Sequence, residues 1–184
     1  MATVTNVSAG KAGNNGGAVF RAPLGTTLPT DATTALDNAF VELGFVSEDG
    51  LTNTNSAEVD TIKAWGNKEV LTVQTGKPDT FTFTLLETLD INVLKAVYGE
   101  NNVTGTLATG ITVNANGDEA EAAVWVFESE LRDGAYKRIV VPNGKLGELG
   151  DIVYKDDEAI GYEITLNALV DESGQTHYEY IKRT

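Results

Sequence analysis

Short runs with the two-residue period of a β-strand, separated by turn sequences, constrain the fold of this chain more than any other feature. The clearest run covers residues 80–87, where Phe81, Phe83 and Leu85 alternate with threonines. Because successive side chains of a strand point to opposite sides of a sheet, this run predicts one buried and one polar face. Asp-Gly pairs at 49–50 and 133–134 are typical of turns. About nine strands are expected in all, mostly joined as antiparallel hairpins.

One segment has helical spacing. Asp90 is a candidate N-cap, the apolar residues Ile91, Leu94 and Val97 repeat at intervals of three, and Gly99 is a candidate end. A helix of about two and a half turns is too short to be stable alone, so it should pack on a sheet. We therefore expect a mainly β fold class: two packed, mostly antiparallel sheets in a sandwich-like or barrel-like arrangement, with one flanking α-helix and long loops.

The chain of 184 residues has the length of one domain. Residues 1–17 are rich in Gly, Asn, Ala and Ser and have few apolar side chains, which predicts a flexible N-terminal arm. Such an arm is either a disordered leader or a segment that becomes ordered against a neighbouring subunit. Residues 18–184 are then expected to form a single domain.

Two segments within this domain are predicted to be loops. Residues 48–66 are mostly polar and have no helical period, and a loop of this length is usually functional or disordered. Trp65 should anchor one end of it, because a buried tryptophan brings a large apolar area into the core. Further along, Pro142 should stop the strand at 136–141, and the glycine-rich residues 143–150 should form a second loop.

The charge of the chain argues against a nucleic-acid-binding protein. The sequence has 27 acidic and 13 basic residues, and the resulting net charge of −14 is spread along the chain. A surface of this sign repels DNA phosphates instead of displacing their counterions. The chain has no cysteine, which excludes disulfides and thiolate sites. We expect no signal peptide at the N-terminus and no membrane segment, since no apolar stretch approaches the roughly 20 residues of a membrane span.

The sequence predicts no catalytic, cofactor-binding or metal site. His177 is the only histidine, so a catalytic triad or a histidine-based zinc site lacks its usual partners, and we expect an exposed or edge-strand residue. Glu128 and Glu130 share one face of a strand and could act as acid and base or bind a cation. Because Lys137 and Arg138 lie on the next strand, structural ion pairs are the favoured interpretation.

The order of these segments resembles the major tail proteins, or tail tube proteins, of bacteriophages with long, non-contractile tails. The resemblance covers most of the chain. It rests on the small-residue arm, the strand followed by Glu48-Asp49-Gly50-Leu51, the polar loop that ends in Ile62-Lys-Ala-Trp65-Gly66, the alternating run at 80–86, the short helix at 90–98, the segment Tyr136-Lys-Arg-Ile-Val-Val-Pro-Asn143-Gly144, and the strands at 162–169 and 178–180.

This resemblance implies a structural subunit that is not an enzyme and needs no cofactor. Six copies would form a ring, one sheet of each copy would join its neighbours in a β-barrel around a lumen, and stacked rings would form a tube. DNA would pass through during ejection without specific binding. The resemblance also implies tape measure, tail terminator and baseplate or tip proteins as partners, in a virion tail assembled in the bacterial host cytoplasm.

The resemblance assigns two sets of residues to the assembly. The loop at 48–66 should reach the adjacent ring, with contacts at Asp49, Leu51, Asn53, Asn55, Glu58, Ile62 and Trp65. A lumen lined with carboxylates would not retain a polyanion, and the acidic residues on candidate inner strands are Glu42, Glu48, Glu69 and Glu163. On this hypothesis, deletion of 51–60 should leave a folded subunit that cannot polymerise.

Two other functions stay open at this point. A ring-forming tube protein of a contractile injection or secretion system would share the fold. An adhesive or carbohydrate-binding β-sandwich would need exposed aromatic side chains on one face.

Overall fold

The structure is a computed structural model that describes residues 3–13 and 18–183. Within these residues the chain forms thirteen strands and one α-helix. In chain order they are β1 (Gly10–Ala12), β2 (Val19–Pro23), β3 (Val41–Glu42), β4 (Val46–Asn55), β5 (Glu58–Ala64), β6 (Lys68–Gly76), β7 (Asp79–Leu85), α1 (Ile91–Tyr98), β8 (Val103–Thr106), β9 (Gly110–Val113), β10 (Ala123–Leu131), β11 (Ala135–Leu149), β12 (Tyr162–Ala168) and β13 (Tyr178–Arg183).

Nine of these strands form one antiparallel sheet in the order β3-β2-β10-β11-β12-β7-β4, with β1 beside β10 and β13 beside β11. The long strand β11 belongs to both halves of this sheet: residues 135–140 pair with β13, and residues 144–149 pair with β12. Two small hairpins, β5–β6 and β8–β9, complete the described strands.

The two halves of the large sheet pack face to face. The rings of Phe81 on β7 and Phe127 on β10 are stacked with centroids 5.4 Å apart, and Phe83 lies edge-on to Trp125 at 6.0 Å. Strands β7 and β10 are not neighbours in the sheet, so these contacts cross the core between two layers. The predicted fold class, two packed antiparallel layers with one helix, is confirmed. Among the described residues the sheet does not close into a barrel, since β3 and β4 are its end strands.

The two most periodic segments fold as their sequence predicts. Strand β7 alternates strictly between buried and half-buried residues. Helix α1 begins after Asp90, whose side chain accepts a hydrogen bond from the backbone N–H of Asn92 at 2.6 Å, and it ends at Gly99. The helix buries Val93, Leu94, Ala96 and Val97 against the core and the β8–β9 hairpin, so its short length is stabilised by packing.

The outer side of β10 and β11 is also covered. Val126 and Val140 face each other across the ladder and are fully buried, although they point away from the core between the layers. Arg138 stands on this same side, opposite Glu128, and donates through Nη1 to the backbone carbonyls of Asp31 and Thr34 at 2.8 and 2.9 Å. The segment between β2 and β3 is thereby held over the outer side of the sheet.

The predicted stop at Pro142 is wrong, because β11 continues through it to Leu149. On one side, the ladder with β10 shifts register between Ala123 and Trp125, directly opposite this proline. On the other edge of β11, the pairing with β13 ends at residue 140 and the pairing with β12 begins at residue 144, so residues 141–143 have no partner strand there. A proline interrupts a sheet because it has no backbone N–H to donate. At position 142 no hydrogen bond of the ladder requires that donor, so the strand continues.

The predicted irregular loop at 48–66 is also wrong as secondary structure. Residues 46–55 belong to β4 and pair with β7, and residues 58–64 form β5, which pairs with β6. β-Branched residues recur in this stretch, at positions 52, 54, 59, 61 and 62, and favour extended backbone. Of the predicted flexible arm at 1–17, Gly10–Ala12 forms a strand along β10, while residues 1, 2 and 14–17 lie outside the described residues.

Candidate assembly surface

The β5–β6 hairpin (residues 58–76) forms most of the longest continuously exposed stretch of the described structure. Its two strands pair only with each other, and every residue from Glu58 to Thr75 is exposed. The hairpin is inserted between β4 and β7: the last pair of that ladder is Asn55 with Asp79, and the first pair of the hairpin is Glu58 with Gly76. It therefore extends outward from one end of the β4–β7 ladder.

One face of this hairpin is apolar. Ile62 lies opposite Leu71, and Val73 lies opposite Asp60, which places three exposed aliphatic side chains on the same side of the ribbon. The other face is more polar, since Thr61 lies opposite Thr72 there. A two-stranded hairpin that exposes both faces is marginally stable in water, and clustered exposed apolar residues mark interaction sites. The ribbon has the properties of a surface that another chain covers.

Trp65 stands at the tip of the hairpin and is fully exposed. The prediction that it anchors a loop in its own subunit is wrong. The turn is made by Gly66 and Asn67, both with positive φ, and the backbone N–H of Asn67 donates to the carbonyl of Ala64 at 3.0 Å. The tip lies too far from the core of its own copy for burial, so the usual preference of tryptophan for the interior is not satisfied here.

Of the seven predicted contact residues, five lie on the hairpin, at its base or in an exposed bulge, and two make contacts within their own subunit. Glu58, Ile62 and Trp65 lie on the exposed hairpin, and Asn55 lies at its base. Asp49 is exposed in a bulge of β4, where the pairing with β7 jumps from Val46 to Leu51. By contrast, Leu51 packs against the core and Asn53 is hydrogen-bonded within the subunit.

A buried carboxylate fixes the base of the hairpin. Asp79, only 3% exposed, accepts hydrogen bonds from Asn53 Nδ2 at 2.8 Å and Thr176 Oγ1 at 2.5 Å, and its Oδ2 lies 2.5 Å from His177 Nδ1. Burial opposes ionisation of Asp79, but the hydrogen bonds from Thr176, Asn53 and His177 outweigh it, so the pKa of this carboxyl is lowered. The ends of β4 and β7 are thus tied to the segment that precedes β13.

His177, which the sequence predicts to be exposed or in an edge strand, is neither: it directly precedes β13. Its side chain is largely buried, and its ring lies edge-on to Phe81 with centroids 5.3 Å apart. The sequence contains no signal for this pair, because Asp79 and His177 are 98 positions apart and each stands in a polar, turn-like context.

The two glutamates of β10 form structural ion pairs. Glu128 accepts from Arg138 Nε at 2.8 Å, as the sequence favours. Glu130 pairs with Lys11 of β1 at 3.0 Å, whereas Lys137 pairs with Glu179 of β13 at 2.7 Å. Among residues 3–13 and 18–183, no three potential ligand side chains are grouped so that they could hold a metal ion. The same residues contain no helix long and apolar enough to cross a membrane.

The four predicted lumen carboxylates are exposed but lie on four different strands: Glu42 on β3, Glu48 in the bulge of β4, Glu69 on β6 and Glu163 on β12. Glu163 is surrounded by hydroxyl groups. It lies opposite Thr84, and Thr165, two residues further along β12, lies opposite Thr82 of β7 with their Oγ1 atoms 3.3 Å apart. Thr52 of β4 extends this face on the other side of Thr82.

The family described as phage tail tube protein matches residues 8–184, which is nearly the whole chain. No curated protein matches the sequence of this chain. Tail tube proteins are structural components of the virion tail that assemble with copies of themselves and with other tail proteins, which agrees with an exposed apolar hairpin. The chain belongs to the phage tail tube protein family.

Proposed function

We propose that this chain forms hexameric rings that stack into the tube of a long, non-contractile phage tail, and that the tube conducts DNA during ejection. The observation that carries the proposal is the β5–β6 hairpin, whose aliphatic side chains Ile62, Leu71 and Val73 are not buried by their own subunit. The seven residues of β5 extend about 20 Å beyond the base of the hairpin at roughly 3.3 Å per residue, which carries the tip away from its own subunit toward a neighbouring copy.

Contacts within a ring are assigned to the free edge of β4. One edge of this ten-residue strand pairs with β7, and no described strand pairs with the other. A long free edge invites pairing with another chain, and closure of six sheets into a ring removes such edges. The proposal therefore joins the copies of one ring through edge-to-edge sheet contacts and joins successive rings through the hairpins.

The lumen is assigned to the polar face of β4, β7 and β12. Threonine hydroxyls dominate this face, and Glu163 adds negative charge. Such a surface offers DNA phosphates no cluster of cations, so the polymer passes without being retained. In the complete tail, the tape measure protein would occupy this lumen before ejection, and the tail terminator and the baseplate or tip proteins would contact the two end rings.

The test removes the hairpin without damage to the sheet. Deletion of 51–60 is unsuitable, because Leu51–Asn55 pair with β7. Instead, residues 59–75 are replaced by an Asn-Gly turn that joins Glu58 to Gly76, which are paired at the base. The matched control replaces the exposed turn 107–109 of the β8–β9 hairpin in the same way.

We expect wild type and control to form tubes with six-fold rings in electron micrographs, and the 59–75 variant to remain a folded subunit or single ring. Tubes of normal length from that variant would refute the role of the hairpin. Rings of another symmetry would refute the hexamer, and assembly that requires a sheath protein would place the chain in a contractile system.

A further inference from the structure

A cleft of about 600 Å³ opens at the end of the β4–β7 ladder that lies away from the hairpin. It lies between β1 and the bulge of β4, where these two strands approach each other. Phe83 and Phe127 of the core form its apolar base, Val46 and Leu51 line it from β4, and Glu48 stands at the rim. The cleft is therefore an opening through which another side chain can reach the core between the two layers.

We propose that this cleft receives the hairpin tip of a second copy of the chain, with Trp65 inserted against its apolar base. The inference rests on the proposed function and specifies which surfaces of successive rings meet. A fully exposed tryptophan at the end of a projecting ribbon and an open apolar cleft are complementary in chemistry. Tryptophan is the residue type most often found at the energetic centre of protein interfaces.

The positions of tip and cleft fit a repeating contact. The cleft adjoins Val46 at the start of β4, and the hairpin leaves from Asn55 at the end of the same strand. A contact between the two is therefore head-to-tail. Contacts that use two different surfaces either close into a ring or generate an open stack, and a contact between surfaces at opposite ends of the subunit suits the open stack of successive rings. Because Trp65 is fully exposed, it does not occupy the cleft of its own copy.

The charges of the two surfaces are also complementary. Lys63 and Lys68 flank the tip, and neither forms an ion pair within the described part of the chain. The two lysines at the cleft, Lys11 and Lys137, are neutralised by Glu130 and Glu179.

At the rim, Glu48 and its exposed neighbour Asp49 have no cationic partner among residues 3–13 and 18–183. Lys63 and Lys68 outnumber the one carboxylate at the tip, Glu69, which lies opposite Lys63. A tip with an excess of cations thus meets an acidic rim, although the protein as a whole is strongly acidic.

Intrinsic fluorescence tests the insertion directly. The chain has two tryptophans, and Trp125 is buried in the subunit. A quencher such as acrylamide should reach Trp65 in the unassembled subunit and lose access when tubes form. Continued quenching of Trp65 in assembled tubes would overturn the proposal.

A substitution at the tip measures the strength of the contact. Trp65→Ala should raise the critical concentration for assembly about 30-fold, the effect of a typical hot-spot residue. The control, Leu107→Ala, removes another exposed apolar side chain and should leave that concentration unchanged. If Trp65→Ala assembles as wild type does while the 59–75 replacement does not, the hairpin joins the rings but the cleft is not its receptor.

Cross-linking identifies the receptor, and the absence of natural cysteines makes it specific. The double variant Lys68→Cys/Glu48→Cys should give a ladder of covalent multimers after oxidation of assembled tubes. The matched control, Lys68→Cys/Glu42→Cys, places the second thiol on an exposed acidic position of β3 and should not. A ladder from the control alone, or from neither variant while tubes form normally, would overturn the assignment of the cleft.

Discussion

Arg138 is the cation whose removal should damage the subunit most. Its side chain is only 4% exposed, and it donates through Nε to Glu128 and through Nη1 to the carbonyls of Asp31 and Thr34. Substitution by methionine keeps much of the apolar volume but leaves one carboxylate and two carbonyls without their donor. We expect this change to lower the free energy of unfolding.

The size of this loss follows from the burial of the partner. Removal of one member of a fully buried ion pair costs about 3–5 kcal/mol. Glu128 is 25% exposed and can recover some hydration, so the lower end, about 3 kcal/mol, is expected. For a chain of this length that is a fall in Tm of about 6–12 °C. The double variant Arg138→Met/Glu128→Leu should lose less than Arg138→Met alone, because no unpaired carboxylate is left.

The measurement is urea unfolding of the unassembled subunit, followed by the fluorescence of the buried Trp125. Lys137→Met is the matched control. It removes the neighbouring cation, whose ion pair with Glu179 is 28% and 40% exposed, and should cost no more than about 1 kcal/mol. The reasoning fails if Arg138→Met costs less than 1 kcal/mol, or no more than Lys137→Met does.

Two further substitutions and one pH dependence test the base of the hairpin and the core. Asp79→Asn should lower the free energy of unfolding by about 2–3 kcal/mol, because three converging donors lose a charged acceptor; urea unfolding near wild-type stability would contradict this. Since the folded-state pKa of Asp79 is lowered, its stabilisation is present above the unfolded pKa of about 3.9 and is lost as pH falls through the folded value. The stability of wild type should therefore fall more steeply below about pH 4 than that of Asp79→Asn, and parallel curves would exclude the effect. Gly144→Ala should cost about 1–3 kcal/mol in thermal unfolding, because its Cβ would lie 2.6 Å from Trp125 Cδ1, whereas the control Gly117→Ala meets nothing within 4 Å.

The sequence predicts those elements whose cause is local. Strand β7 has a strict alternation, and helix α1 has a cap, a spacing and a glycine end, so each pattern is contained in fewer than about fifteen residues. The continuation of β11 through Pro142 could not be predicted in this way. It depends on where two other strands begin and end, and no local pattern contains that information.

The sequence distinguishes residues 48–66 by their polarity but does not predict their secondary structure. Their pairing with residues 68–76 and 79–83 is decided by the partner strands. The burial of His177 against Asp79 is a contact between residues 98 positions apart, which no local pattern contains. The prediction for Trp65 is wrong because the preference of tryptophan for burial is a property of the residue type and does not fix where the residue lies in the fold.

The attachment of the hairpin to the last two strands of the large sheet, β4 and β7, has a mechanical consequence. A pull on the hairpin enters the subunit through the ends of β4 and β7 at Asn55 and Asp79. Strand β7 is held by β12 over six successive residue pairs that run along the direction of that pull. These hydrogen bonds are strained together in shear and are not opened one at a time. Tension on the projecting ribbon is therefore resisted by the whole sheet, and the subunit should tolerate bending and stretching of the assembly in which it is held.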